Sequence, residues 1–427
     1  MKEYRKRIAD ILLKEKLEGV GAVLIEGPKW CGKTTTAEQQ AKSVLYMDSP
    51  KDRKMNLQTA EVDPELLLTG ATPRLIDEWQ LAPQLWDAVR FTVDHRREEG
   101  QFILTGSAVP LDKDQQQTIS HTGTGRIARL RMRPMSLWES GDSNGTVSLK
   151  ELFLSPEKIS AISSLDIKDI AYLVCRGGWP RATMQSRNTA LDRAFDYYDA
   201  VVNIDIQRAD DVVRDAERVK RLMRSFARFQ GAQASLSSIC ADMKSNDYST
   251  LDDRTVHSYI NALKKIFVIE DMPAWNPNLR SKTAIRTSDT RYFIDPSIAV
   301  AALGLGPNDL ISDLNTFGLL FETMCVRDLR VFAESLGGSV YHYRDKDGLE
   351  CDAVVHLRNG SYGLIEIKLG GDRLVEEGAQ TLQTLFRKID TEKMKSPSFL
   401  MVMTGTGRYA FRREDGVYVV PIGCLKD

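Results

Sequence analysis

The stretch "AVLIEGPKWCGKTTTAE", residues 22–38, constrains this chain more than any other. Ala22 to Ile25 form a short apolar run that reads as a buried parallel strand, and "KTTTAEQQAKSV" (33–44) then reads as a helix. Between the two, Gly27, four residues, Gly32, Lys33 and Thr34 satisfy the G-x-x-x-x-G-K-[ST] pattern at every fixed position. Glycines let the backbone curl so that successive N–H groups face a phosphate, and the following helix presents its positive end to it. Lys33 is placed to reach β- and γ-phosphates, and the Thr34 hydroxyl to ligate Mg²⁺. The expected nucleotide-lining residues are therefore Gly27, Pro28, Lys29, Trp30, Cys31, Gly32, Lys33, Thr34 and Thr35. The competing reading, a chance Gly-rich turn with an exposed lysine, accounts for neither the strand before it nor the helix after it.

Two further strands strengthen this reading. "PRLIDEWQ" (73–80) is an apolar strand that ends in two carboxylates. A magnesium–nucleotide site needs an acid at a neighbouring strand end to hold the metal or its waters, which suits Asp77, and hydrolysis profits from a second acid to orient water, which suits Glu78. "FILTGSA" (102–108) is another buried strand, and Thr105 or Ser107 at its end is a candidate γ-phosphate sensor. In "GRIARLRMRP" (125–134), Arg126, Arg129, Arg131 and Arg133 alternate with apolar residues. One of them, with Arg126 as the candidate nucleotide contact, suits an arginine finger; the same alternation also fits an edge strand with a solvated face.

The segments "GPKWCGKTT", "LIDEWQ", "ILTGSA" and "GRIARLRMRPMSLWE", in that order, together with "GGWPRA" (177–182), resemble the bacterial and archaeal AAA-like ATPases that carry a C-terminal domain of unknown function. The resemblance covers nearly the whole chain. It implies an ATPase with ATP and Mg²⁺ as cofactors. The phosphate-loop and carboxylate motifs are specific for nucleotide binding, and the others only for the group.

At 427 residues the chain exceeds the size at which one core stops growing, so about three domains are expected. Hydrophobic residues at 42% and charged residues at 27% describe a water-soluble chain, and no apolar run approaches the roughly 18 residues of a membrane span. "MKEYRKRIADILLKEK" mixes charges at helical spacing, unlike a secretory signal. The six cysteines are scattered with no C-x-x-C pair, which fits a reducing cytoplasm. A net charge of -1 excludes a globally basic nucleic-acid coat, so contact with nucleic acid must come from local patches.

Beyond the first third, "TALDRAFDYYDAVVNIDIQ" and "DAERVKRLMRSFARFQG" read as helices. "SLSSICADM", "DRTVHSYINALKKIFVIEDMPAW" and a polar hairpin then give the layout of a winged helix-turn-helix. Its second helix carries Arg254, His257, Ser258 and Asn261, and its wing Arg280, Lys282 and Arg286, in positions to meet DNA; Asp252 and Asp253 would repel phosphate. "RDKDGLECDAVVHLRNGSYGLIEIKLG" (344–370) reads as strand, turn, strand, with Asp352 on the first and Glu366 and Lys368 on one face of the second. An acid followed by acid-x-lysine is the pattern of restriction-endonuclease-like nucleases, in which two acids hold a divalent metal and the lysine acts on water. Glu322, on an upstream helix, falls where that fold often supplies another acid. A surface hairpin with a salt bridge is the alternative.

The expected fold is α/β: an AAA-like P-loop parallel-sheet domain (1–140), a helical linker or lid (141–230), a winged helix-turn-helix (231–305) and an α/β restriction-endonuclease-like domain (306–427). Glu78, Asp352, Glu366 and Lys368 are the expected catalytic residues, and Thr34, Asp77, Glu322, Asp352 and Glu366 the expected metal ligands. The expected partners are ATP, DNA or RNA through the winged helix and C-terminal domain, and further copies in an oligomer, with no membrane. The functional expectation is ATP hydrolysis coupled to nuclease-like action on nucleic acid. Its rival is a nucleotide-dependent switch or adaptor that binds partners without cutting.

Overall fold

The computed structural model describes residues 4–106, 123–209, 212, 214–231, 236–245, 253–276, 288–392 and 394–427. The chain divides into two compact units. The first comprises Met1–Pro134, Ile204–Val213 and Asn261–Val268, and the second Met135–Asn203, Arg214–Ile260 and Ile269–Asp427.

In the first unit, five strands, β1 (Ala22–Glu26), β2 (Ser43–Tyr46), β3 (Arg74–Asp77), β4 (Phe102–Gly106) and β5 (Ile127–Arg131), form one sheet in the order β2-β3-β4-β1-β5. All four pairings are parallel. The near-continuous apolar runs follow from burial of both faces. Val23, Ile25, Leu75 and Ile103 pack with Leu13 and Leu17 of helix Ile8–Gly19, whereas Leu24, Ile76 and Leu104 pack with Trp79, Trp86 and Val89 on the opposite face. The helix expected over 33–44 ends at Glu38, because Val44 and Leu45 are drawn into β2 opposite Leu75 and Ile76. β5 is an edge strand, and the Arg129 side chain is about half exposed and paired with Glu26.

The second unit contains the short strands β6 (Val147–Ser148) and β7 (Ala161–Ile162), the antiparallel pair β8 (Ile269–Met272) and β9 (Thr290–Phe293), and then β10 (Gly338–Arg344), β11 (Glu350–Leu357), β12 (Tyr362–Lys368), β13 (Phe399–Thr404), β14 (Tyr409–Arg412), β15 (Tyr418–Pro421) and β16 (Leu425–Lys426). Seven of these make a mixed sheet in the order β10-β11-β12-β13-β15-β14-β7. Its core reads helix (Leu314–Ser335), three antiparallel strands, helix (Asp372–Lys388), and a strand, β13, parallel to β12. Residues 161–162, inside the stretch expected to be a helical connector, instead supply an edge strand to this sheet.

Both faces of β12 are covered. Tyr362 and Leu364 pack on Ala379, Leu382 and Leu385 of helix Asp372–Lys388, while the other helix packs across β10, β11 and β12. Every β12 residue except Lys368 is therefore buried, including Glu366, and not only the isoleucine face.

Helices Ala216–Arg228, Leu236–Ser245 and Asp253–Lys265 are followed by the antiparallel pair β8 and β9; β8 falls within "DRTVHSYINALKKIFVIEDMPAW", the stretch expected to be helical, so that helix ends at Lys265. Arg254, His257 and Ser258 are exposed and Asn261 half-buried; the wing residues Arg280, Lys282 and Arg286, and Asp252, lie outside the described residues.

The "GGWPRA" segment sits on a buried charge cluster. Gly178 N–H donates to Asp295 (2.9 Å), the Gly178 carbonyl accepts from Met135 N–H (2.7 Å), and Trp179 Nε1–H donates to Ser297 (3.0 Å). Arg327 links Asp295 (2.8 Å) and Asp328 (2.7 Å), all three side chains being 1% exposed or less. A Cβ on Gly178 would stand 2.2 Å from the Met135 carbonyl oxygen, which is why this position is glycine.

Candidate functional site

The phosphate loop leaves the C-terminal end of β1. Its first glycine is dictated by packing: a Cβ on Gly27 would meet the Met132 carbonyl oxygen at 2.1 Å. Trp30 (φ 66°) and Gly32 (φ 102°) turn the backbone left-handed, and Gly32 caps the helix that begins at Lys33. The loop is braced from outside by buried Arg7, whose guanidinium donates to the Cys31 carbonyl (2.9 Å) and the Arg133 carbonyl (2.8 Å). Cys31 is buried beneath it, Thr35 is exposed, and Trp30 is 48% exposed.

Lys33 is buried, and its Nζ donates to the Gly27 and Pro28 carbonyls, both at 2.9 Å, so the ammonium lies inside the curl of the loop. Because β4 separates β1 from β3, Asp77 reaches the loop across one strand. Its Oδ1 accepts from the Thr34 hydroxyl (2.8 Å) and from the Thr105 hydroxyl (2.5 Å). Thr34 and Asp77 thus present converging oxygen donors. That is the donor chemistry Mg²⁺ takes when it keeps several waters and uses one or two protein oxygens, so these residues fit the ion.

Glu78 follows immediately in the left-handed region (φ 55°), which turns its carboxylate out of the strand direction, and Gln80 Nε2 donates to it. Burial, then the adjacent Asp77 charge, push the Glu78 carboxyl above its ordinary value, while Lys33, Gln80 and Lys29 oppose the shift. Lys29 is ion-paired with Asp205 at 2.5 Å.

Not every expected residue meets the loop. Ser107 lies outside the described residues, and Thr105 is the hydroxyl seen at the end of β4. Parallel pairing of Ala22 with Ile127 and Glu26 with Arg131 puts Arg126 at the opposite end of the sheet, roughly 16 Å along the strand from the loop. There it pairs with Asp94 (2.7 Å), so it does not face the phosphate loop of its own chain. Asp205, Arg7 and Met132, which hold or shape the loop, carry no local sequence signal, since each acts through a contact distant in sequence.

In the second unit, β11 and β12 pair with Ala353 opposite Ile365, which brings Asp352 and Glu366 onto one face with Lys368. The ladder ends at that pair, and Asp352 Oδ2 accepts the next free amide, Ile367 N–H, at 2.7 Å. Lys368 Nζ lies 2.6 Å from Glu366 and 3.4 Å from Asp352. Glu322 instead accepts from the Tyr292 hydroxyl (2.6 Å).

One ammonium serves three carboxyls. Burial and the Asp352 charge push both Glu322 and Glu366 up to about 8. Burial would lower the Lys368 ammonium, but Asp352 and Glu366 outweigh it and raise it. The second Glu366 oxygen is buried without a hydrogen-bond partner. Among the described residues no group of three or more His, Cys, Asp or Glu side chains is disposed to hold an ion, because Lys368 lies against the two strand acids and Tyr292 holds the third.

Comparison with known proteins finds three matched segments, the second of which runs through stretches of both units. Residues 20–140 match an AAA domain, residues 167–309 a domain of unknown function (DUF8612), and residues 317–425 another domain of unknown function (DUF4143). Uncharacterized proteins of Mycobacterium tuberculosis and Mycobacterium bovis are each 23% identical over 365 residues, covering 85% of this chain and 74% of theirs. Among solved structures, a Walker-type ATPase of Pyrococcus abyssi is similar with a TM-score of 0.42 at 13% identity, over 69% of this chain and 94% of that one. The ORC1 protein of Aeropyrum pernix, solved in complex with DNA, reaches a TM-score of 0.25 at 14% identity, over 72% of this chain and 93% of that one. At these scores the structural likenesses are partial. No helix among the described residues is long and apolar enough to cross a membrane. Residues 20–140 thus match an AAA domain and carry the phosphate-loop and carboxylate geometry described.

Proposed function

We propose that the chain hydrolyses ATP at the phosphate loop and couples that hydrolysis to its C-terminal α/β unit. The observation that carries the reading is the joint placement of the buried Lys33 ammonium within the loop and of the Thr34 hydroxyl on Asp77. Lys33 and the loop amides bind the polyphosphate, and Thr34 and Asp77 hold Mg²⁺, which when bound neutralises charge on the phosphates. Glu78 orients water, and its raised, half-buried carboxyl suits a group that takes a proton in the reaction. Thr105 fixes the Asp77 carboxylate. The decisive experiment is Lys33→Ala: equilibrium binding of a fluorescent ATP analogue is expected to be lost in the folded variant, and unchanged affinity and turnover would refute the assignment.

The second part of the reading concerns what hydrolysis drives. The helix, three antiparallel strands, helix, parallel strand order, with Asp352, Glu366 and Lys368 on one face, favours a restriction-endonuclease-like domain acting on DNA or RNA. The exposed Arg254, His257 and Ser258 would add contacts from a winged helix. The rival is a nucleotide-dependent switch whose C-terminal unit binds partners without cutting, favoured by the ion-paired state of the strand acids. Incubation with single- and double-stranded DNA and RNA, with Mg²⁺ or Mn²⁺ and with and without ATP, separates the two. Cleavage lost in Lys368→Ala with ATPase activity retained supports the nuclease; no cleavage across the panel supports the switch.

A further inference from the structure

Lys29 and Asp205 form a pair that the proposed hydrolysis does not use. Lys29 is the third residue of the phosphate loop, and its ammonium stands 2.5 Å from Asp205 Oδ1. The two partners differ in freedom. The Lys29 side chain is 37% exposed on a four-carbon stem, whereas the Asp205 side chain is 9% exposed at the start of a short 3-10 turn, Asp205–Ala209. That turn is anchored by Ile206 and Ala209, both buried. A partly exposed cation on a flexible stem, on a loop built for polyphosphate, has a second anion within reach whenever a nucleotide binds.

We infer that Lys29 exchanges between Asp205 and the polyphosphate of a bound nucleotide, and that Asp205 is the positioning residue through which occupancy of the loop is passed to the turn Asp205–Ala209. The inference rests on the phosphate-loop reading and extends it. A polyanion outcompetes a single carboxylate for the ammonium. Asp205 is then left buried without its cation, a costly state that the turn relieves by loosening or shifting. Residues 204–213 belong with the nucleotide-binding unit, yet the chain joins them at both ends to stretches of the second. A change at Asp205 therefore enters the backbone at a point continuous with helix Arg187–Asn203.

The test is a double-mutant cycle on the full chain, read by affinity for an ATP analogue. If Lys29 must leave Asp205 to reach phosphate, Lys29→Met weakens binding modestly in the wild-type background, about 3-fold, because part of its contribution is lost in breaking the pair. In Asp205→Asn, where the lysine is free, the same substitution weakens binding about 30-fold, a coupling within the range seen for interacting charges. Amide exchange over 205–209 rises on nucleotide binding in the wild type and stays constant in Lys29→Met, a response that a purely structural salt bridge would not give. Equal effects of Lys29→Met in both backgrounds, or exchange at 205–209 indifferent to nucleotide, would overturn the inference while leaving the loop assignment intact. A wild type that binds no nucleotide overturns the assignment itself, and the inference with it.

Discussion

Replacing Arg327 by methionine gives the most demanding test of how the second unit is held together. The guanidinium is 1% exposed and makes three hydrogen bonds, one to Asp295 (2.8 Å) and two to Asp328 (2.9 and 2.7 Å). Both acids have further duties: Asp295 accepts from Gly178 N–H and caps helix Pro296–Leu303, and Asp328 accepts from Leu137 N–H. Methionine fills similar space but leaves two carboxylates buried without a cation. Breaking a buried ion pair from one side costs about 3–5 kcal/mol. For a unit of this size that is a fall in Tm of about 6–20 °C. Calorimetry of the full chain measures it, with ATP-analogue binding as the control that the phosphate loop is untouched. The loss should shrink in acid, because burial already pushes Asp328 up to about 6 against the pull of Arg327, and without that pull it protonates more readily. The triple variant Arg327→Met, Asp295→Asn, Asp328→Asn should recover much of the deficit, since no charge is then buried. A fall of less than about 3 °C in the single variant, or one independent of pH, would refute the reasoning.

Three other outcomes are expected. Glu78→Gln should bind ATP but turn it over about 30- to 1,000-fold more slowly, as loss of a water-orienting group costs roughly 2–4 kcal/mol of barrier; wild-type turnover would place the catalytic acid elsewhere. Glu322 and Glu366 titrate near 8 in the fold against an ordinary 4.5, so the stability they add is full below about pH 4.5 and is lost as pH rises through about 8. Melting of the second unit should therefore fall between about pH 4.5 and 8 and level off above, and Glu366→Gln should flatten that slope; a slope unchanged in the variant would show that the charge excess resides elsewhere. Gly27→Ala, which drives a methyl group into the Met132 carbonyl, should cost more than about tenfold in ATP affinity, whereas Gly348→Ala, at a turn with open space around it, should leave ATP affinity unchanged.

The sequence was most legible where function compresses several constraints into one stretch. The loop from Gly27 to Thr34 announces itself because turn, ammonium and hydroxyl must be contiguous, and the β11–β12 hairpin because its acids and lysine follow strand alternation. What stayed hidden depends on partners far along the chain. Arg126 looked like its neighbours in the arginine-rich strand, and only the parallel register shows that it sits at the wrong end of the sheet. Ser43 and Val44 satisfied a helical pattern until β3 offered them a ladder. Glu366 is buried because a second helix covers its face, which alternation within a single strand cannot reveal. The Lys29–Asp205 pair spans more than a hundred residues, and no local spacing rule reaches that far.

The discontinuity of the first unit sets an order of events during synthesis. All five of its strands have been made once residue 131 is added, while Asp205 and Phe267, whose ring lies under Arg131, are still untranslated. At 5–20 residues per second, Asp205 follows β5 by roughly 4 to 15 seconds. During that interval Lys29 lacks the Asp205 carboxylate it pairs with in the finished protein. A nucleotide captured then would stabilise the unfinished sheet by mass action. Under the phosphate-loop reading, a nucleotide would thus serve the nascent chain before it serves the finished one.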